Sequence, residues 1–417
     1  MIRHIFAEAL NALRHYKLRS ALTMLSVVWG VASLMLLLSY GRGFGVALTR
    51  SFDQIGKNLV VIFPGQTSTQ AGGERAGRRI LLELSDVKAL ADTVPTIEAL
   101  SPEVRRWLPL SFGYRTRNYT VGGVYAAYQR VRSMEVEDGR FLSEDDVLHR
   151  RRVAVIGATL KRELYSGLPA LGTDIKINGV RFSVVGVLKK KTQITNYSAP
   201  DDLTAFVPFT ALSTLLDTRY LNNIVVLPVN NQFRDRIVSD LRAALARTHN
   251  FHVKDERAVE ILDWNQFRTL VTSLSVGLNL LLLIIGTLTL SIGAGGVMNI
   301  MLVAVTERTR EIGVLKSLGA RRWHILSQIL LEGLTLTTLG GLLGFALASL
   351  VVKLIGSLPL LGPVFEDTSG QGDIQLGVSF SAVAVSSLVL MIVGLIAGLI
   401  PAIRAARLDP AQAIRSE

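Results

Sequence analysis

The sequence contains no cysteine. Disulfides and thiolate metal sites are therefore excluded, and an oxidising compartment is compatible with the composition without being required by it. The phosphate-binding pattern Gly-x-x-x-x-Gly-Lys-Ser/Thr is missing as well. We therefore expect that this chain binds no nucleotide cofactor itself and does not hydrolyse nucleotides through a P-loop.

Charge is absent from four long stretches of the chain, which are 21–41, 269–306, 333–352 and 374–403. Each reaches the ~20 residues that a helix needs to cross the hydrocarbon core of a bilayer. Hydrophobic residues make up 49% of the chain, and the mean hydropathy is positive. The sequence thus predicts a membrane protein with four transmembrane helices. The predicted spans are 21–41, 269–306, 323–352 and 376–403.

The connecting segments predict the orientation of these helices, because basic segments remain in the cytoplasm. Residues 307–322 are rich in Arg and Lys, whereas 353–375 are mostly acidic or neutral. The first is therefore predicted to be cytoplasmic and the second to be a short external loop. Both termini are then cytoplasmic, with an interfacial helix at 1–20 and a tail at 404–417. The remaining segment, 42–268, forms one large extracytoplasmic domain.

The net charge of +12 invites a nucleic-acid partner. The basic residues lie beside apolar runs or among acidic residues, however, so no such partner is predicted. The nearest histidine pair, His249 and His252, has no carboxylates arranged around it and is interpreted as a surface turn. Because the four uncharged stretches contain no Asp, Glu, Lys, Arg or His, ion-coupled transport is disfavoured and energy must come from elsewhere.

The second apolar stretch is too long for a bilayer. As a helix it would extend roughly 57 Å at ~1.5 Å per residue, so part of it is expected to project as a stalk. Its apolar residues recur at alternating spacings of four and three, as in a dimeric coiled coil, although so apolar a run always contains some heptad. The predicted seam consists of Leu274, Leu278, Leu281, Ile285, Leu288 and Ile292. In the last two spans, the glycine pairs 340/344 and 394/398 predict close helix approach.

The extracytoplasmic segment is predicted to be α+β. Its flanks read as two β-α-β units, with elements at 58–63, 85–93, 97–104, 222–229, 232–247 and 251–254. Between them, Ser143 is a predicted helix cap and 153–156 a predicted strand. Asn178-Gly179 predicts a hairpin turn. The polar segment 189–204, which opens with three lysines, is interpreted as a solvated loop.

An amphipathic charged turn follows the second span and ends at Gly319. The run 298–321 around it closely resembles the signature of the MacB-type, FtsX-like permease family. Further segments similar to that family are 137–142, 152–157, 179–187 and 401–415. The resemblance extends over essentially the whole chain.

The resemblance implies a homodimeric transmembrane subunit of a type VII ABC transporter in the bacterial inner membrane. The α+β domain, inserted between helices 1 and 2, would divide into a Porter-like part, about 45–125 and 222–260, and a Sabre-like part, about 126–221. The turn after the second span would be a coupling helix that docks on a cytoplasmic ABC ATPase. The residues implied in this contact are Glu311, Ile312, Gly313, Val314, Leu315, Lys316, Leu318, Gly319 and Ala320.

The implied function is mechanotransmission for efflux or export, driven by a separate ATPase subunit because the family's N-terminal ATPase domain is missing from this sequence. A membrane-fusion adaptor and an outer-membrane channel are further candidate partners. Two alternatives stay open: an FtsX-like regulator of a cell-wall enzyme and a LolC-like subunit for lipoprotein release. Substrate and direction of transport are not indicated, nor is whether the dimer is homomeric or heteromeric.

Overall fold

The computed structural model describes residues 17–56, 58–68, 76–191, 197–230, 234–359 and 373–409. The chain divides into a helical unit and an α/β unit. The helical unit comprises Met1–Ala47, Thr272–Pro359 and Asp373–Glu417, and the α/β unit comprises Leu48–Val271 and Leu360–Gly372. The interfacial helix predicted before residue 17 lies outside the described residues.

The helices are, in chain order, α1 (Lys17–Asp53), α2 (Leu84–Thr93), α3 (Tyr128–Val131), α4 (Glu144–Leu148), α5 (Ala158–Tyr165), α6 (Phe209–Leu212), α7 (Arg234–His249), α8 (Trp264–Glu307), α9 (Thr309–Ser317), α10 (Arg322–Ile355) and α11 (Phe380–Ala406). Four of them, namely α1, α8, α10 and α11, are long and apolar enough to cross a membrane. The four predicted spans are therefore confirmed as helices. With 44 residues, α8 is longer than a bilayer requires, as the sequence predicts.

Within the helical unit, α1 and α8 form an antiparallel pair that glycines bring together. The facing residues are Ser26 with Gly293, Gly30 with Leu290, Leu34 with Gly286, Gly41 with Asn279, and Gly45 with Ser275. As the pairs advance along α1 they step back along α8 by the same intervals, within one residue. A Cβ atom at Gly293 would lie 2.7 Å from the Ser26 carbonyl oxygen, so only glycine permits this approach.

The glycines predicted to allow helix approach do so in the last two spans. A Cβ atom on Gly344 of α10 would lie 2.8 Å from Val31 of α1. On α11, a Cβ atom at Gly394 would lie 3.0 Å from the Thr337 hydroxyl of α10. The three helices therefore pack with backbone close to side chain.

The strands are β1 (Val60–Pro64), β2 (Ile97–Phe112), β3 (Arg115–Val124), β4 (Val136–Gly139), β5 (Val153–Ile156), β6 (Asp174–Ile177), β7 (Val180–Leu188), β8 (Thr204–Pro208), β9 (Asn223–Pro228), β10 (Val259–Asp263), β11 (Ser357–Leu358) and β12 (Ile374–Gln375). The first ten belong to one sheet, in which β10, β1, β9, β2, β3, β8, β5, β7 and β4 are successive neighbours and β6 pairs with β2 and β7. The last two strands form a small separate pair.

The first predicted β-α-β unit is confirmed as β1-α2-β2. The second has β9 and α7 as predicted, but its closing strand is β10, and the strands of the two units interleave. The order β10-β1-β9-β2 is antiparallel throughout. On one face of this sheet, α2 and α7 bury Leu90, Ile237 and Leu241 in the larger core. On the other face, Ile55, Tyr128 and Trp264 belong to a second core. The sheet continues through β3 into the predicted Sabre-like part, because β3 pairs with β8 in parallel.

The predicted cap and hairpin in the inserted part are confirmed. The Ser143 side chain accepts a hydrogen bond from the Asp146 amide, and the Asp146 carboxylate accepts one from the Ser143 amide. The hairpin β6–β7 turns at Asn178 and Gly179, whose φ angles of 48° and 83° suit a type I′ turn.

Three local predictions were wrong. The N-cap of α2 is Glu83, two residues before the predicted start at residue 85, and the Asp86 carboxylate accepts from the Glu83 amide at 2.8 Å. No strand forms at 251–254; the strand is β10, which pairs with β1. His249 does have a carboxylate partner, since its Nε2 lies 2.9 Å from Oδ1 of the buried Asp86.

We predict that Gly293→Ala weakens the α1–α8 pair, because its methyl group would meet the Ser26 backbone. The expected cost is about 1–3 kcal/mol, seen as a lower thermal midpoint of the full chain in detergent. Gly295→Ala is the control on the same helix, since its Cβ atom meets nothing within 4 Å among the described residues. Equal midpoints for the two variants would contradict the glycine-dependent approach.

Candidate functional site

The predicted coupling segment is a separate short helix. The long helix α8 ends at Glu307, Arg308 leaves the helical conformation, and α9 begins at Thr309. Gly319 adopts a left-handed φ of 98°, and the Ala320 amide donates to the Leu315 carbonyl at 3.0 Å. The predicted stop at Gly319 is thus confirmed as a left-handed helix end, for which glycine is suited. The helix itself ends at Ser317, before the last three of the implied contact residues, Leu318, Gly319 and Ala320.

One side of α9 faces the core of its own helical unit. Ile312 is only 5% exposed and belongs to a cluster that includes Ile325, Ala402 and Ala405. Gly313 is buried as well. The contact role predicted for Ile312 therefore needs correction, because a side chain held in the chain's own core is not available to a partner.

Lys316 also turns toward its own chain. Its Nζ donates to the carbonyl oxygen of Ala406 at 2.9 Å and to that of Leu408. At the other end of the helix, Arg308 Nη1 lies 3.4 Å from Glu332 Oε2 on α10. These bonds attach both ends of α9 to neighbouring helices.

The other side of α9 is exposed and apolar. Val314 and Leu315 are each 43% exposed and Leu318 is 80% exposed. Residues three and four apart share a helix face, so these side chains form one surface. Glu311 and Gly319 are also exposed, and Ala320 is half-buried. We call Val314, Leu315 and Leu318 the coupling surface.

Trp323, which follows the coupling surface closely in the sequence, is a further exposed apolar residue. It was not singled out from the sequence. Its side chain is 71% exposed in the first turn of α10. Arg321 and Arg322, which precede it, are exposed as well. A tryptophan beside arginines is typical of protein interfaces, and this was the signal available in the sequence.

The predicted seam residues of α8 point away from the core of this single chain. Five of them are between 43% and 79% exposed, and Leu278 is half-buried. Most are sequence neighbours of the residues that face α1, so they lie about 100° around the helix from that contact. The coiled-coil contact stays a prediction that this geometry permits.

Family models match both units of the chain. The MacB-like periplasmic core domain matches residues 20–244, and the FtsX-like permease C-terminal domain matches residues 283–410. The chain belongs to the MacB-like, FtsX-like permease family. The family comprises ABC transporter permeases, and the four long apolar helices make this a multi-pass membrane protein.

Curated relatives match along the whole permease. The macrolide export ATP-binding/permease protein MacB of Bdellovibrio bacteriovorus is 31% identical over 423 residues, which cover 100% of this chain and 62% of the relative. The ABC transporter permease YknZ of Bacillus subtilis is 29% identical over 98% of both chains. The permease therefore spans about three fifths of the length of the MacB relatives that it matches.

Solved structures match the α/β unit. The periplasmic region of MacB from Actinobacillus actinomycetemcomitans has a TM-score of 0.41 and 22% identity, covering 52% of this chain and 94% of that structure. The extracellular domain of the transporter YknZ has a TM-score of 0.41 and 19% identity, covering 49% of this chain and all of that domain.

A cluster of buried charges lies in the α/β unit, and it was not predicted from the sequence. The Glu103 carboxylate is fully buried, and its Oε1 lies 2.5 Å from Arg105 Nε. The hydroxyl groups of Tyr128 and Tyr197 donate to the same carboxylate at 2.7 Å and 3.0 Å, and Asn223 donates to it as well. Every charge here has an opposite charge or a hydrogen bond within reach, as buried charges require.

A second buried ion pair joins three segments of the α/β unit. Arg132 Nη2 donates to both oxygens of Asp201, at 3.0 Å and 2.8 Å. Lys191 Nζ donates to the carbonyls of Gln54 and Arg132 at 3.1 Å and 3.0 Å. The interpretation of Lys191 as part of a solvated charge run was therefore wrong, since these carbonyls and the nearby Asp201 hold it inside.

Burial lowers the pKa of the lysine in this cluster and raises the pKa of a neighbouring aspartate. Burial, partly offset by Asp201, lowers the pKa of Lys191 to about 8. Burial and the charge of Asp201 raise the pKa of Asp202 to about 6. Burial opposes ionisation of Asp201 too, but Arg132, Lys191 and Arg105 together hold the pKa of Asp201 below its usual value.

We predict opposite effects from Asp202→Asn and Asp201→Asn. The folded state raises the pKa of the Asp202 carboxyl to about 6, so it favours the protonated form. As pH rises through about 6 the folded protein must ionise this buried carboxyl, and the charge therefore lowers the free energy of unfolding at pH 7.5. Asp202→Asn keeps an oxygen for the Lys191 amide and should stabilise the α/β unit by about 1–3 kcal/mol at pH 7.5, with roughly a third of that effect at pH 4.5.

Asp201→Asn should destabilise the unit at pH 7.5, because it leaves Arg132 without its counter-charge. The lowered pKa of Asp201 places this contribution above its usual pKa, and it is lost as pH falls. Hydrogen exchange of the full chain, read in peptides from the α/β unit at both pH values, measures the two effects. The same sign for both variants at pH 7.5 would contradict the assignment.

Proposed function

We propose that this permease works by mechanotransmission within an ABC transporter. A separate cytoplasmic ABC ATPase would displace α9, and α8 would carry the displacement to the α/β unit. The observation that carries this proposal is the coupling surface. It is exposed and apolar, and only Arg308 separates its helix from an uninterrupted 44-residue helix that begins at Trp264 beside β10.

The geometry of the helical unit supports transmission rather than bending. Five contact pairs hold α1 against α8, so a displacement of α8 would be shared by α1. Both helices connect covalently to the α/β unit, at Asp53 and at Trp264. For ATP to drive the change, the ATPase must bind two permease states with different affinities, because equal affinity would shift nothing.

The placement of basic residues supports the direction of this transmission. We propose an inner-membrane location with both termini and α9 in the cytoplasm and the α/β unit outside, since Arg and Lys flank α9. Efflux is the proposed role, because the MacB relatives are named macrolide export proteins. A membrane-fusion adaptor and an outer-membrane channel are further proposed partners, and the substrate would be handled outside the inner membrane.

We propose further that the active form is a homodimer through the seam of α8. Packing against α1 leaves this face open, with Ile292 79% exposed. In such a dimer, closure of two ATPase subunits would bring the two long helices together. The α/β units, each attached to one of these helices, would then change their separation or shape.

We predict that Leu318→Asp abolishes ATPase binding, because it places a charge on the apolar surface that would otherwise be buried. The tagged chain is purified from native membranes, and the ABC ATPase that co-purifies is identified and quantified by mass spectrometry. Leu148→Asp is the matched control, since Leu148 is 77% exposed against 80% for Leu318 but lies in the α/β unit. Retained ATPase with Leu318→Asp would refute the docking assignment.

We predict that an added copper–phenanthroline oxidant links two copies of Leu281→Cys by a disulfide in membranes, whereas Leu280→Cys is not linked. The native chain has no cysteine, so any such bond reports only the introduced residue. The two leucines are similarly exposed, 54% and 57%, but point about 100° apart around α8. Equal cross-linking, or more at residue 280, would place the dimer contact on another face.

A further inference from the structure

The tail motif 401–415 resembles the permease family, yet the coupling surface alone gives it no role. The structure brings the start of this motif against α9. Ile312 packs in one cluster with Ala402 and Ala405, and the partly buried Leu408 joins them. The two segments with family-like sequence at the same membrane side are thus in contact.

A polar contact closes this junction. The last carbonyls of a helix have no partner within the helix. At the end of α11, the Arg407 amide donates to the carbonyls of Ile403, Arg404 and Ala405. The carbonyls of Ala406 and Leu408 are the ones that Lys316 Nζ reaches from α9.

A lysine suits this position chemically. Its ammonium group carries three donors on a flexible stem, so it can serve two carbonyls at once. Its positive charge also lies at the C-terminal end of α11, where the helix dipole is negative and attracts a cation. The half-buried position of Lys316 keeps water from competing fully.

We propose that Lys316 is a latch that makes α9 and the end of α11 one mechanical body, and that it does not contact the ATPase. This proposal rests on the proposed function only for its mechanical consequence. A displaced α9 would then pull α11 as well as α8. Because Gly394 of α11 packs against Thr337 of α10, the displacement would reach α10 too. The latch makes Lys316 a positioning residue.

Hydrogen exchange of the full chain in lipid nanodiscs tests the latch without any ATPase. In Lys316→Met, the amides at 405–409 should exchange about tenfold faster, because the charge-assisted bonds to the two carbonyls are lost. Lys316→Arg retains the charge and donors and should stay near the wild type. Lys353→Met, the same change in the last turn of α10, is the control for loss of a lysine.

Unchanged exchange in Lys316→Met would refute the latch. Exchange in Lys316→Arg as fast as in Lys316→Met would also refute it, because a donor of that reach should hold the same carbonyls. A general rise in exchange across α8 and α10 would show that Lys316→Met loosens the whole unit, and this too would contradict a local latch.

A second measurement uses the ABC ATPase that co-purifies with the wild-type chain. Lys316→Met should retain ATPase binding within about threefold and lose most of the permease-dependent stimulation of ATP hydrolysis, and Lys316→Arg should restore it. Loss of binding comparable to that of Leu318→Asp would make Lys316 a direct contact and refute the latch. Unaltered stimulation would also refute it. If no ATPase binds the wild type, the proposed function fails, and the exchange experiment alone decides the latch.

Discussion

The close approach of α1 and α8 is the constraint on which the mechanical account depends. Two helices can share a displacement only if their backbones are held together along most of their length, and glycine at the contact points allows this in a membrane, where the hydrophobic effect gives no drive for helix association. The approach at Gly30 and Gly293 leaves no room for a Cβ atom. The same packing also determines which face of α8 stays exposed in the single chain.

The short helix α9 of the helical unit has two distinct sides. Ile312 and Lys316 attach α9 to its own unit, while Leu315 and Leu318 remain exposed. In the α/β unit, Arg105 of β2 lies 3.6 Å from the buried Asp201. Lys191 lies 4.0 Å from the same carboxylate and donates to the carbonyl of Gln54, just after α1. Buried charges contribute little net stability but penalise alternative packing strongly, because a broken pair leaves an unpaired charge inside. Such a junction would suit the proposed change of state of the α/β unit as a whole.

The sequence predicted the membrane spans, the hairpin at Asn178 and the end of α9 at Gly319, because each depends on local composition or on one residue's backbone preference. It did not predict the direction of Ile312 and Lys316, because an amphipathic helix with two apolar sides does not show which side meets its own chain. It also missed the buried charges. Glu103 and Arg105 alternate along β2 as exposed polar residues would, and only tertiary packing covers them with Tyr128 and Tyr197. The docking and seam residues stay predictions.

The most direct test of mechanotransmission is a distance between the α/β units of two copies under turnover. A nitroxide on Tyr114→Cys, at the exposed tip of the β2–β3 hairpin, reports this distance in the otherwise cysteine-free chain. With the ATPase bound in nanodiscs, trapping with ATP and vanadate should shift the distance distribution, and Leu318→Asp should abolish the shift. An unchanged distribution while the ATPase binds and hydrolyses ATP would contradict the account.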